Sequence, residues 1–216
     1  MLANCFEKRT VSSYNNHMKP EIEAKFLDID HETMRVKLKE LGANCAHPMR
    51  ITKRKNYDFP DHRLDKEKRG WVRLRDSGDK LTLSYKQLNS REFDGTHEVT
   101  VEVDDLDAAD AFLRAVGLVQ ENYQETKRES WTLDGCEIEL DEWPWIRPFL
   151  EIEGADEQSV KDCAAKLGLD WSKVYHGSVE VAYQAEYDVD ERTIDLTPRI
   201  TFETPVPESF GRRRQQ

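Results

Sequence analysis

Glu21, Glu23 and Lys25 stand at alternate positions in Glu21-Ile22-Glu23-Ala24-Lys25-Phe26. In a strand, successive side chains point to opposite faces, so the three charges share one face and Ile22, Ala24 and Phe26 share the other. The arrangement returns along the chain. Arg73 and Arg75 alternate in Trp71-Val72-Arg73-Leu74-Arg75, and Thr82, Ser84 and Lys86 alternate in Leu81-Thr82-Leu83-Ser84-Tyr85-Lys86. Glu98 and Glu102 share a face of His97-Glu98-Val99-Thr100-Val101-Glu102-Val103. Glu137-Ile138-Glu139-Leu140-Asp141 and Leu150-Glu151-Ile152-Glu153 add five more carboxylates. These side-chain types have one ligand class in common. Guanidinium and ammonium groups hold phosphate oxygens, and clustered carboxylates hold a divalent metal that bridges to the same phosphates.

Elements must hold these charges together. A sheet buries one face, and here the apolar faces are the ones to bury, under helices. The charged faces then meet each other in the bore of a barrel, which inverts the usual small barrel filled with apolar side chains. The expected fold is α+β: a closed, eight-stranded, mostly antiparallel β-barrel with a polar, charged bore and helices packed outside. Three units of strand, helix and glycine recur, with helices near residues 31–41, 108–116 and 157–167. Asp30, Asp107 and Asp156 are expected as N-caps, and Gly42, Gly117 and Gly168 as left-handed C-terminal stops. Met34, Leu38 and Leu41 have the spacing of a core-facing helix. Further strands are expected near 50–57, 71–75, 81–86, 126–133 and 136–143. Asp76-Ser77-Gly78-Asp79 and Asp134-Gly135 read as hairpin turns, the second of type I′. A helix near 178–187 is placed to cap one mouth.

Composition sets the limits. The chain has 216 residues, 35% charged and 38% hydrophobic, with a net charge of −11. That suits one domain, expected over 20–190, between a flexible leader over 1–19 and an irregular tail over 191–216 that ends in Arg212-Arg213-Arg214. The negative charge argues against a general binder of nucleic acid or membrane surfaces. No apolar stretch reaches the roughly 18 residues of a membrane span. Cys5, Cys45, Cys136 and Cys163 are far apart, have no metal-site spacing and read as reduced thiols in a cytoplasmic protein. The six histidines show no catalytic or metal spacing.

Six segments in order now carry a resemblance. Glu21-x-Glu23-x-Lys25, the paired arginines Arg73 and Arg75, Lys86 at a strand end, the acidic strand Glu98 to Glu102, Arg128-Glu129-Ser130-Trp131, and Asp141 followed by Phe149-Leu150-Glu151-Ile152-Glu153 resemble the CYTH superfamily, the triphosphate tunnel metalloenzymes. That superfamily includes class IV adenylyl cyclases, thiamine triphosphatases and inorganic triphosphatases. The resemblance covers about residues 20–154. It implies that Lys25, Arg73, Arg75, Lys86 and Arg128 grip phosphate, arginine as a planar fork and lysine as a point charge. Lys25 would do this or orient a nucleophilic water. Glu21, Glu23, Asp141, Glu151 and Glu153 would hold Mg²⁺ or Mn²⁺, as hard oxygen ligands favour. Lys25, Glu23 and Asp141 are the expected catalytic residues; Glu98, Glu102 and Glu139 are possible additions.

Two places depart from the pattern. A basic residue is expected two before Arg128, where Thr126 stands. In Thr52-Lys53-Arg54-Lys55-Asn56-Tyr57-Asp58, parity with Tyr57 points Lys53 and Lys55 into the bore as phosphate ligands and Arg54 outward; a bulge would reverse that. Trp143 and Trp145 either stack on a substrate ring or pack a barrel corner. The activity implied is metal-dependent hydrolysis of an inorganic, nucleoside or thiamine triphosphate. The alternatives are cyclisation of ATP to cyclic AMP and pyrophosphate, and a non-catalytic polyphosphate or nucleotide sensor. The expected partner is the small-molecule triphosphate, with no nucleic acid and no membrane, for a monomer or homodimer.

Overall fold

The computed structural model describes residues 18–90 and 95–214. The leader expected over 1–19 lies, as far as residue 17, outside the described residues. The alternating segments form one sheet that closes on itself. β1 (Lys19–Glu21) and β2 (Glu23–Leu27) are halves of one run, broken at Ile22. β1 pairs with β6 (Thr96–Val103), and β2 pairs with β9 (Phe149–Glu153). Between them stand β5 (Leu81–Leu88), β4 (Gly70–Asp76), β3 (Asn44–Asp58), β7 (Val119–Leu133) and β8 (Cys136–Glu142). The hydrogen-bonded order is β1-β6-β5-β4-β3-β7-β8-β9-β2, so both ends of the path lie on the same stretch of chain. The ring holds nine strands, or eight runs with β1 and β2 counted once, and its pairs are antiparallel. Register keeps the charges level: Glu23 lies opposite Glu153, Lys25 opposite Glu151, Arg128 opposite Asp141 and Lys86 opposite Glu98. Asp134 and Gly135 take φ of 51° and 83°, the two left-handed residues that a type I′ hairpin requires.

Much of the outer face is apolar and lies under helices. α1 (His31–Glu40) and α4 (Glu157–Lys166) set Met34, Leu38, Val160 and Ala164 against Ala24, Phe26, Ile138 and Ile152. α3 (Leu106–Ala115) sets Leu113 against Tyr57 and Leu74. Leu41, expected in the α1 stripe, ends that helix and is exposed. Asp30 and Asp156 cap α1 and α4, accepting from Thr33 N and Ser159 N at 2.7 Å. The α3 cap is Asp105, which accepts from Asp107 N and Ala108 N at 2.9 Å, and not the expected Asp107. The helix starts two residues earlier than expected, so Asp107 falls inside its first turn.

The tail is ordered where irregular chain was expected. The helix expected near 178–187 is α5 (Glu180–Glu186); within the tail, α6 (Glu191–Asp195) leads into β10 (Arg199–Ile200), which pairs in parallel with β7. Ile200 and Phe210 are fully buried with Tyr183 and Phe149. Glu186 accepts from Arg147 N at 2.5 Å and from Arg213 Nε at 2.9 Å, so a tail arginine ties the chain end to α5. Cys45, Cys136 and Cys163 are free thiols; Cys5 lies outside the described residues. Among the described residues no helix is long and apolar enough to cross a membrane.

Candidate functional site

The bore is a cavity of about 870 Å³ with walls of both charges. Lys25 on β2 is 2% exposed and lies 2.6 Å from Glu23 and 3.3 Å from Glu151. Burial alone would deprotonate it, but Glu151 and Glu23 outweigh burial and push its pKa above the usual lysine value. Lys86 on β5 reaches Glu21 at 2.8 Å and Glu98 at 2.7 Å, and Arg73 on β4 reaches Glu98 at 3.3 Å. Arg128 on β7 forks onto Asp141, with Nε to Oδ1 at 2.7 Å, and reaches Glu151 at 2.7 Å. Arg75 lines the same cavity. Neighbouring Arg73 charge, with burial, pulls its pKa down to about 9.

β3 corrects two expectations. Lys53 is exposed and lies outside the bore. Lys55 also faces outward, with Nζ 3.3 Å from Asp110 of α3. Parity with Tyr57 holds, but Tyr57 faces the helices: its ring packs against Leu74 and Leu113, and its hydroxyl donates to the same Asp110. The bore side of β3 carries Arg54, 7% exposed, which donates to Thr126 Oγ1 at 3.1 Å. Arg54 therefore supplies from the next strand the cation missing at position 126. Among the described residues neither Arg54 nor Arg75 has a carboxylate at ion-pair distance, and the Nε atoms of Arg54, Arg73 and Arg75 are buried without hydrogen bonds. Burial, with Arg73, Arg128 and Arg75 nearby, depresses the Arg54 pKa.

The carboxylates divide into two groups. Glu21, Glu23 and Glu153 gather at one end with Glu137, which faces Glu153 across β8 and β9. Burial and then Glu21, Glu23 and Glu137 push the Glu153 pKa up to about 7. Carboxylate oxygens are the donors a hard divalent cation takes, so the chemistry of this set fits a metal. Glu137 was not among the expected ligands, although its parity with Glu139 and Asp141 pointed inward. Asp141 and Glu151, expected as ligands, instead engage cations. Asp141 is fully buried beneath Arg128, which bonds both of its oxygens. Glu151 lies between Lys25 and Arg128, whose charges outweigh burial and hold its pKa at about 2. Glu139 faces the cavity beside Arg128; burial and Asp141 raise its pKa to about 7. Glu102 is exposed and lies outside the bore, at the turn joining β4 and β5.

The α5–α6 segment lines one end of the cavity. Asp58, His62 and Glu121 stand there within 4.8 Å of one another. The Asp58 oxygens already accept from the backbone N–H groups of Phe59, Leu64 and Asp65 at 2.6 to 3.0 Å, so Asp58 staples the loop before α2 (Arg63–Lys68). Trp143 lines the cavity with the Arg54 guanidinium 4.5 Å above its ring. Trp145 packs on Tyr183 and Phe210 and donates to Thr204 O at 2.6 Å, so it is a corner residue.

The comparisons agree with this architecture. The structure of an adenylate cyclase candidate from Vibrio parahaemolyticus superposes with a TM-score of 0.66 at 18% identity, covering 77% of this chain and 98% of that one. The PH1012 protein from Pyrococcus horikoshii OT3 gives 0.62 at 21% identity, over 75% and 98%. HpAC1 from Hippeastrum, an adenylyl cyclase candidate with a dominant triphosphatase activity, gives 0.54 at 15% identity, over 82% and 95%. At these identities the likeness shows the fold. No curated protein matches the chain. The CYTH domain family model matches residues 19–181, three quarters of the length and every strand of the ring, and the chain belongs to that family.

Proposed function

We propose that the protein is a divalent-metal-dependent phosphohydrolase acting on a triphosphate held in the bore. The observation that carries this reading is the surplus of buried guanidinium groups: Arg54, Arg73 and Arg75 offer Nε donors with no acceptor. Buried, mutually repelling cations favour a polyanion, and planar guanidinium forks match phosphate oxygens. Arg128 joins them, oriented by Asp141 from behind. Lys25, kept protonated by Glu23 and Glu151, serves as a cation toward phosphate or an incoming water and not as a base. Glu139 titrates near neutrality and can hold or release a proton at its unbonded Oε2. Glu21, Glu23 and Glu153, with Glu137, would hold Mg²⁺ or Mn²⁺. A bound metal supplies charge for the phosphate oxygens and lowers the pKa of water.

Cyclisation of ATP would use the same cations with the 3′-hydroxyl as nucleophile. The likeness of HpAC1, with its dominant triphosphatase activity, favours hydrolysis. The test is to incubate the protein with tripolyphosphate, ATP or thiamine triphosphate under Mg²⁺ or Mn²⁺ and to resolve the products. Phosphate release supports hydrolysis. Cyclic AMP with pyrophosphate would replace it with cyclisation, and no turnover would leave a binding module.

A further inference from the structure

Trp143 follows β8 directly, at the same parity as Glu137, Glu139 and Asp141. Alternation therefore sends its indole to the bore side, where it lines the cavity and is buried. Glu142 pairs with Lys127, so the same count sets Trp143 beside Thr126. Thr126 is also the residue that accepts from Arg54, and its hydroxyl bonds to that of Thr52 at 2.5 Å. Ring and hydroxyl thus meet at one guanidinium, with Arg54 Cζ 4.5 Å from the ring centroid. Tyr183 of α5 fixes the indole in turn. The two rings make a T-shaped contact at 6.3 Å, and the Tyr183 hydroxyl donates to Pro144 O at 3.0 Å.

Other bore arginines are aimed by acids. Asp141 takes the Arg128 fork, and Glu98 stands 3.3 Å from Arg73. Arg54 has no such partner among the described residues, and one hydrogen bond leaves a long side chain free to turn about it. An aromatic face supplies the missing hold. It attracts a cation through the ring quadrupole, most strongly where water is excluded. Unlike a carboxylate, it neutralises no charge and takes up no N–H donor. Both consequences are visible. Arg54 Nε is buried with no hydrogen bond, and so is the indole Nε1 of Trp143. Adjacent unmet donors call for an acceptor, which an anion provides. A substrate ring stacked on the same face would have to displace Arg54.

We propose that Trp143 is a positioning residue for phosphate binding, which holds the Arg54 guanidinium ready for the anion through its ring face. This rests on the triphosphate reading above and names the group that prepares one of its cations. The indole is then an arginine support and not a stacking surface for the organic part of a substrate.

The test is titration calorimetry on the full chain, in chelator to block turnover, at fixed ionic strength, with circular dichroism to confirm each fold. The probes are tripolyphosphate, which has no ring, and uridine triphosphate, which has one. Trp143→Leu should weaken both by about 3- to 10-fold, the scale of immobilising one long side chain on binding. Trp143→Phe, which keeps a ring face, should fall between Trp143→Leu and wild type. In an Arg54→Ala background the cost of Trp143→Leu should drop below about twofold, because contacting residues that act as a unit are not additive. If Trp143→Leu does not fold, Trp143→Phe carries the same cycle, and its cost should likewise shrink in Arg54→Ala. Equal costs in both backgrounds overturn the proposal, and so does a loss confined to uridine triphosphate, which would make the indole a stacking surface. Either result leaves the triphosphate reading standing. Failure of tripolyphosphate to bind wild type overturns that reading, and this role with it.

Discussion

Arg54 and Lys55 are adjacent, equally charged and assigned to opposite sides of one strand. Arg54→Ala should weaken tripolyphosphate binding by about 10- to 100-fold, the scale of lost hydrogen bonds to a charged group. Lys55→Ala should leave that affinity within about twofold, because its ammonium meets Asp110 behind the wall. Calorimetry on both variants decides, and the reverse ranking would return β3 to the register expected from sequence. The alternation itself was legible: 53, 55 and 57 do share a face. Which face was not, because Tyr57 is as content under a helix as in a bore, and only Asp110, 53 positions away, selects between them. The expected metal ligands divide the same way. Glu21, Glu23 and Glu153 are together as their parity requires, while Asp141 and Glu151 are claimed by Arg128 and Lys25, a pairing set by register and not by spacing. Chelation should abolish turnover and Mg²⁺ or Mn²⁺ restore it. Glu23→Ala should lower the rate by about 100-fold or more, the scale of one preorganised electrostatic group. Full activity in chelator would sink the metal reading.

At the scale of elements, local signals succeeded where the chain closes its own hydrogen bonds. Gly42, Gly117 and Gly168 end helices at φ of 74°, 95° and 75°, as expected. The α3 start was misplaced because Asp104, Asp105 and Asp107 all suit a cap, and only backbone geometry selects one. Asp105→Ala should cost about 1 kcal/mol, or roughly 2–4 °C in melting temperature for a chain of this size. Asp107→Ala, inside the first turn, should cost less; an equal loss would mean the cap is shared. The helix near 178–187 was legible as α5, but α6 and β10 were not, and α5 itself is held by distant partners, Glu186 with Arg147 and Tyr183 with Pro144. That cap has its own pH signature. Burial, then Glu180 and Glu191, push the Asp195 pKa up to about 9 in the fold against 3.8 ordinarily. A raised acid pKa means the folded state keeps a proton the unfolded chain releases, so the contribution is complete below about pH 4 and is lost as pH rises through 9. Wild-type melting temperature should fall more steeply than that of Asp195→Asn between about pH 7 and 10. Parallel slopes would mean that Asp195 is ionised in the fold.

For the whole molecule, the ring is a frustrated container. Helices cover part of its outside, and its inside sets arginine against arginine and glutamate against glutamate. Among the described residues nothing relieves both at once. A triphosphate meets the first need and a divalent cation the second, and each binds the closed barrel in preference to the open chain. Mass action then requires stability to rise, by about 2.7 kcal/mol at ligand one hundred times its dissociation constant. For a domain of this size that is about 5–10 °C in melting temperature. Tripolyphosphate with Mg²⁺ should therefore shift the melt well beyond monophosphate at equal ionic strength, because one phosphate cannot span arginines contributed by three strands. Arg73→Ala and Arg75→Ala should shrink the shift without unfolding the chain, while Val72→Asp, which puts an unpaired charge on the packed outer face, should lower the melt with no ligand present. Equal shifts from tripolyphosphate and monophosphate would mean that the protein responds to anions in bulk, and the bore would lose its claim to a polyphosphate.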